Sequence, residues 1–182
     1  SEDVYSIIAY LRSLDPIETQ PYPASDIDFP LSVIMRTFPQ PAQPMERPAM
    51  TDPRYGEYVT NAAACIECHT NMVKGEKVGG TLAGGFEFRF PNGGIVRSAN
   101  ITPSDDGIGR WSKEQFIQRF KMYQDSAYVA PTVNWERGDM QTPMPWMMYS
   151  TMTETDLGAI HDYLMTVPAV DGVVEKWTPP GS

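Results

Sequence analysis
The 182-residue sequence predicts a mainly α-helical domain that carries a small β-hairpin and follows a proline-rich extended arm. Three observations carry that expectation. Apolar residues recur at helical spacing in several separate stretches. Prolines crowd the segment from Asp15 to Pro53, and one glycine-rich stretch alternates phenylalanines with period two. Hydrophobic content is ordinary at 41%, which argues against disorder. No apolar run approaches the roughly 18–20 residues of a spanning helix.

Taken in order, Val4, Ile7, Ile8, Leu11 and Leu14 recur at helical spacing and predict a helix over residues 1–14. Residues 15–50 hold Pro21, Pro23, Pro30, Pro39, Pro41, Pro44 and Pro48. Proline fixes φ and removes donors, so this linker is expected to run extended. The stretch from Phe29 to Phe38 is the exception, apolar enough for a short helical turn able to dock on a core. Thr51-Asp52-Pro53 sets a cap residue ahead of a proline at the first turn. The helix it announces runs through Tyr55, Tyr58 and Val59 into Ala62-Ala63-Ala64. Gly56 within it reads either as a weak helix residue or as a close crossing with another helix.

Phe86, Phe88 and Phe90 then alternate, Pro91-Asn92-Gly93-Gly94 turns, and Ile95-Val96 returns, predicting a hairpin. Asp105-Asp106-Gly107 lacks the ligand spacing of a calcium loop and reads as a turn. Ser112 and Gln115 form a capping-box pair for a helix to about Gln124, with Phe116, Ile117 and Phe120 inward. A last helix starts near Thr153 and ends before Pro168, burying Leu157, Ile160, Tyr163, Leu164 and Val167. Residues 51–171 form the domain, and 172–182 are a C-terminal tail.

"ACIECHT", residues 64–70, holds both cysteines of the chain and one of its two histidines. A redox Cys-x-x-Cys belongs beside a βαβ pattern, and none surrounds it. Zinc needs four ligands, and only Cys65, Cys68, His69 and the distant His161 are available, with Cys68 and His69 adjacent. Covalent haem fits better. Two intervening residues let both sulfurs reach the vinyl groups of one porphyrin, and the next residue places its imidazole under the iron. Cys65 and Cys68 are therefore the predicted anchors of one haem c and His69 an iron ligand. The phenylalanine hairpin is expected to pack on the ring.

The sixth iron position decides the chemistry, because an open site can react while a strong ligand makes an electron carrier. Among eleven methionines, Met144 stands between Pro143 and Pro145, just before Trp146. Flanking prolines hold it out of a helix and let its sulfur project at a metal, and Met–His ligation favours ferrous iron. Met140, Met147 and Met148 are the nearby substitutes, and core filling beside Trp146 is the plainer role. His161 reads as a hydrogen-bonded imidazole at the edge of the last helix's apolar face rather than as a ligand. Arg97, Asn100 and Trp111 are candidates to hydrogen-bond a haem propionate, and Trp146 to line the cofactor.

The haem motif, "SANITPSDDGIGRWSKEQF", "MPWMMYSTMTETDL" and a closing helix ending "YLMTVPAV" together resemble class I c-type cytochrome domains. The likeness is to those of two-haem membrane-associated cytochromes and of the cytochrome subunits of bacterial periplasmic dehydrogenases. It spans about residues 51–171. The resemblance implies a cytochrome c fold around one covalent haem, with Met144, the methionine of the "MP" pair, as distal ligand. It also implies that the early and last helices cross near Gly56 and Tyr163.

The formal charge is -9, with Lys and Arg scattered rather than gathered in a stripe. That argues against nucleic acid and anionic lipid, and suits steering toward a basic redox partner or simple solubility. No catalytic triad or paired-carboxylate site is evident. The expected function is electron relay in a respiratory or dehydrogenase chain, periplasmic or membrane-associated on the extracytoplasmic side. The alternatives are a peroxidase-like haem enzyme or a gas or redox sensor with an open sixth position.

Residues 2–14 also align with residues 155–167: Asp, Ile, Tyr and Leu coincide, and Val4, Ser13 and Leu14 meet similar residues. Such self-similarity signals a repeated unit. The helix over 1–14 is therefore expected to be the tail of a preceding haem domain, projecting from or leaning loosely on residues 51–171. A membrane anchor is likewise expected in a segment outside this sequence.

Overall fold
A computed structural model describes residues 2–18, 23, 25–38, 45–134 and 136–181. The chain divides into two units, Ser1–Ala49 and Met50–Ser182.

In the first unit, α1 spans Glu2–Ser13, with Glu2 and Asp3 in its first turn and Arg12 in its last, the arrangement that complements the helix dipole. None of its residues is buried. α2, Leu31–Ile34, runs on into a 3-10 turn over Met35–Thr37, the short helical piece expected within Phe29–Phe38. Residues 15–18, 25–28 and 45–49 form neither helix nor strand. Pro21, Pro39, Pro41 and Pro44 lie outside the described residues. Arg47 pairs with Asp3 at 3.2 Å.

The second unit is mainly helical. α3 spans Tyr55–Ala62 and starts two residues later than the sequence suggests. Asp52 accounts for the difference: its carboxylate accepts the Arg54 N–H at 2.8 Å and its carbonyl the Tyr55 N–H at 2.9 Å, making a turn ahead of the helix. α4 is the single turn Cys65–His69. Between these helices Ala64 adopts the left-handed conformation, φ 54°, which breaks one axis and starts another.

β1 (Met72–Val73) and β2 (Glu76–Lys77) form a hairpin that the sequence did not announce. Its turn residues Lys74 and Gly75 both have positive φ, as a primed turn requires. β3 (Glu87–Arg89) and β4 (Ile95–Arg97) form the expected antiparallel hairpin, pairing Phe88 with Val96. The tail adds a third strand, β5 (Trp177–Thr178), on the far edge of β4. Gly94 makes room for it, since a Cβ there would stand 2.5 Å from the Trp177 ring.

α5, Lys113–Lys121, begins with the complete Ser112–Gln115 capping box and ends in a 3-10 turn to Gln124. α6 is one turn, Trp146–Tyr149, inside what the sequence suggests is plain loop. α7, Glu154–Leu164, is capped by Thr153, whose hydroxyl accepts the Asp156 N–H. It crosses α3 where Gly56 lies. A Cβ on Gly56 would stand 2.4 Å from the Ala159 carbonyl oxygen and 2.9 Å from the Tyr163 Cβ, so only glycine permits this approach. The Tyr55 hydroxyl fixes the register by donating to Asp156 at 2.6 Å. Leu157, Ile160 and Leu164 of α7 close with Tyr55 and Val59 of α3 and Phe116 and Phe120 of α5 into one core. Each fully buried leucine contributes about 1.5–3 kcal/mol. Among the described residues, no helix is long and apolar enough to cross a membrane.

Candidate functional site
The motif helix α4 carries Cys65 half-buried, Cys68 exposed and His69 half-buried. Both cysteines are free thiols. Burial pushes the Cys65 thiol up to about 11, with neighbouring Cys68 adding to the shift. The His69 imidazole is shifted down by burial, against the opposing effect of its bond to Ala99. It is thus held neutral, the form that binds a metal.

His69 is aimed by its surroundings. Its Nδ1 lies 2.7 Å from the Ala99 carbonyl oxygen. With Nδ1 donating there, Nε2 carries the lone pair and can serve as a ligand. The carbonyl reaches the ring because three strands of chain pass within backbone contact. The Gly84 N–H donates to the His69 carbonyl at 2.7 Å, and Thr70 bridges Gly84 in parallel fashion. A Cβ on Gly84, which has φ +74°, would stand 2.5 Å from the Ser98 and Ala99 backbones. Gly84 and Ala99 carry no chemistry in their side chains, so the sequence offered no signal beyond the glycine-rich run.

Arg97 and Asn100 flank that carbonyl. The Arg97 guanidinium contacts Glu87 at 2.9 Å and donates to the Thr178 hydroxyl at 2.8 Å, tying β4 to its neighbours. The Asn100 amide is engaged at both ends. Its oxygen accepts from the Thr102 N–H and hydroxyl, and its nitrogen donates to Ser104 and to the Val170 carbonyl at 2.7 Å. Trp111 is 38% exposed. Its carbonyl lies 3.3 Å from Nε2 of His161, which is buried on α7 with Nδ1 3.5 Å from the Asp162 carboxylate. Among the described residues no group of three or more His, Cys, Asp or Glu side chains is gathered to hold a metal ion.

Met144 is half-buried and packs, with Cys65, Ile66, Trp146 and Tyr149, against the same core. Met140, Met147 and Met148 are exposed at 45, 67 and 74%. Trp146 is fixed on two sides: the Arg119 guanidinium sits 4.4 Å from its centroid, and Tyr123 stacks at 5.3 Å and 12°. Trp146 and Tyr123 border an open pocket of about 300 Å³ that Met144 also lines. Tyr149, which no sequence pattern singles out, donates its hydroxyl to the Ala63 carbonyl at 2.7 Å. Its phenol is pushed up by burial and then by the two neighbouring cysteines, which places it beside the motif.

The donor set fits haem c: two unpaired thiols on one helical turn, a neutral imidazole with Nδ1 engaged, and a thioether against the same core.

Comparison with known proteins agrees in kind. The family model described as Cytochrome c matches residues 54–168, more than half of the chain. Over 144 residues the chain is 35% identical to the fructose dehydrogenase cytochrome subunit of Gluconobacter japonicus, covering 77% of this chain and 26% of that protein. It is 33% identical over 113 residues to the alcohol dehydrogenase (quinone) cytochrome c subunit of Gluconacetobacter polyoxogenes, covering 60% and 20%. Against the gluconate 2-dehydrogenase cytochrome c subunit of Pantoea cypripedii it is 35% identical over 112 residues, covering 60% and 22%. The chain therefore spans only about a quarter or less of the length of these relatives.

Proposed function
The chain belongs to the cytochrome c family, and from that premise we propose that it is a single-haem, extracytoplasmic electron relay serving a dehydrogenase. Cys65 and Cys68 would hold the ring through thioethers, and His69 and Met144 would supply the iron ligands. Haem c, when bound, supplies a one-electron Fe(III)/Fe(II) couple whose potential methionine sulfur raises. The observation that carries the reading is the Nδ1 contact of His69 with Ala99 at 2.7 Å, which leaves Nε2 for iron.

The remaining residues serve by holding still. Arg97 and Asn100 fix the segment that presents the Ala99 carbonyl, and with Trp111 they are the candidates to hydrogen-bond a haem propionate. Trp146, held between Arg119 and Tyr123, would line the cofactor. The names of the relatives, cytochrome subunits of dehydrogenases, support a dehydrogenase subunit as electron donor. Residues 51–171 are the haem domain, residues 15–50 the linker, and residues 1–14 the closing helix of a preceding haem domain.

The test is spectroscopic. Ferric holoprotein should display the far-red sulfur-to-iron charge-transfer band. Met144→Ala should keep its haem, lose that band, fall in potential and bind cyanide or CO. A band that survives Met144→Ala would move ligation to Met140, Met147 or Met148. A wild-type protein that lacks it and binds CO readily would favour the peroxidase-like or sensor reading.

A further inference from the structure
We propose that Tyr149 and Lys121 are positioning residues that latch the Met144 segment to the haem-motif joint, an inference that rests on Met144 being the axial ligand.

α6 is a single turn beginning two residues after Met144, and one turn has no stability of its own in water. Its place comes from packing, with Trp146 held between Arg119 and Tyr123, and from two hydrogen-bonded cross-links. The Tyr149 hydroxyl donates to the Ala63 carbonyl at 2.7 Å, across a sequence separation of 86. Ala63 closes α3, and the next residue, left-handed Ala64, is the joint from which Cys65, Cys68 and His69 depart. One hydrogen bond thus ties the turn after the methionine to the joint ahead of the motif. On the opposite side, the Lys121 ammonium at the end of α5 donates to the Ser150 carbonyl at 2.9 Å and to the Met152 carbonyl. These are carbonyls at the point where α6 runs out and helical hydrogen bonding stops supplying partners.

The outer side of the segment offers no comparable support, since Met147 and Met148 are 67 and 74% exposed. Stability of the sulfur–iron bond therefore follows the latch. When it weakens, the segment spends more time open, and any competing iron ligand binds more tightly by the same factor.

The experiment measures cyanide affinity of ferric holoprotein together with thermal unfolding. Tyr149→Phe removes the hydroxyl and keeps the ring, and Lys121→Met removes the ammonium and keeps the stem. Each should lower the cyanide dissociation constant about three- to tenfold, the worth of one such bond. Tyr55→Phe is the control: it deletes a comparable hydroxyl bond, to Asp156 of α7 at 2.6 Å, that touches neither α6 nor the Ala63 joint. It should lower the melting temperature to a similar degree and leave cyanide affinity unchanged. In a Met144→Ala background, Tyr149→Phe should no longer affect cyanide. Equal cyanide effects for Tyr55→Phe and Tyr149→Phe would overturn the latch, as would a Tyr149 effect that persists without Met144. If Met144→Ala itself fails to tighten cyanide, the ligand assignment falls first. If Met144→Ala tightens it and both latch variants do not, only the latch falls.

Discussion

Val4, Ile7 and Leu11 of α1 hold the positions that Leu157, Ile160 and Leu164 hold in α7, and the two helices match at Asp, Ile, Tyr and Leu along the way. Yet the first three are 57, 59 and 58% exposed, and the last three 0, 3 and 1%. An apolar stripe is thus only an offer of burial. α7 finds α3, with Gly56 allowing near-contact of the backbones, and it is capped by Thr153. α1 has the stripe and the dipole-matched ends, and none of its residues is buried. The difference between the helices lies in the surface each meets, not in what each carries.

The largest test of that contrast is a matched pair of truncations. Leu157→Ala empties a fully enclosed site and should cost about 3–5 kcal/mol in guanidinium unfolding of the holoprotein. Val4→Ala, its counterpart in α1, should cost less than about 0.5 kcal/mol, as exposed substitutions do. Comparable losses would mean that the exposure difference does not decide the energetics. Next comes the receiving surface. Gly56→Ala would push a Cβ to 2.4 Å from the Ala159 carbonyl oxygen, a backbone atom that cannot swing aside. The helices must separate, at about 2–3 kcal/mol. A neutral Gly56→Ala would show that the crossing tolerates slack and that glycine is not what admits α7.

What the sequence made legible, in this fold, is what is local. The Ser112–Gln115 capping box, the Thr153 cap and the Phe88–Val96 hairpin are set by residues within ten positions of one another, and each forms where the pattern lies. Gly56 was legible because glycine in a helix demands a reason, and the crossing supplies one. The strand pairing β4 to β5 was not legible: two residues of tail carry it, and no periodicity exists over two residues. At the candidate site, the motif helix and the proline-flanked methionine announce themselves by side-chain chemistry. Their supports do not, because Ala99 and Ala63 contribute only backbone carbonyls. Any residue supplies a carbonyl, so only the three-dimensional path reveals which ones matter. No sequence pattern marks Tyr149, whose hydroxyl finds its partner 86 positions away.

The smallest expected effect sharpens the comparison most. Val4→Glu combined with Leu11→Glu places two carboxylates on the α1 stripe, where both side chains are more than half exposed. Charge there meets water, so the unfolding of residues 51–171 should move by no more than about 0.5 kcal/mol. The same two changes made at Leu157 and Leu164 would bury unpaired carboxylates and prevent folding. If α1 is the closing helix of a preceding haem domain, the α1 pair has a second consequence in a longer chain that contains that domain. There Val4 and Leu11 would face an α3-like helix, as Leu157 and Leu164 do here, and the double substitution should unfold the preceding domain while leaving this one intact. Two unfolding transitions, with only the upstream one moved, are the expected result. A longer chain whose transitions are both unchanged would mean that the α1 stripe is solvated wherever it occurs, and that its likeness to α7 reflects helix composition alone.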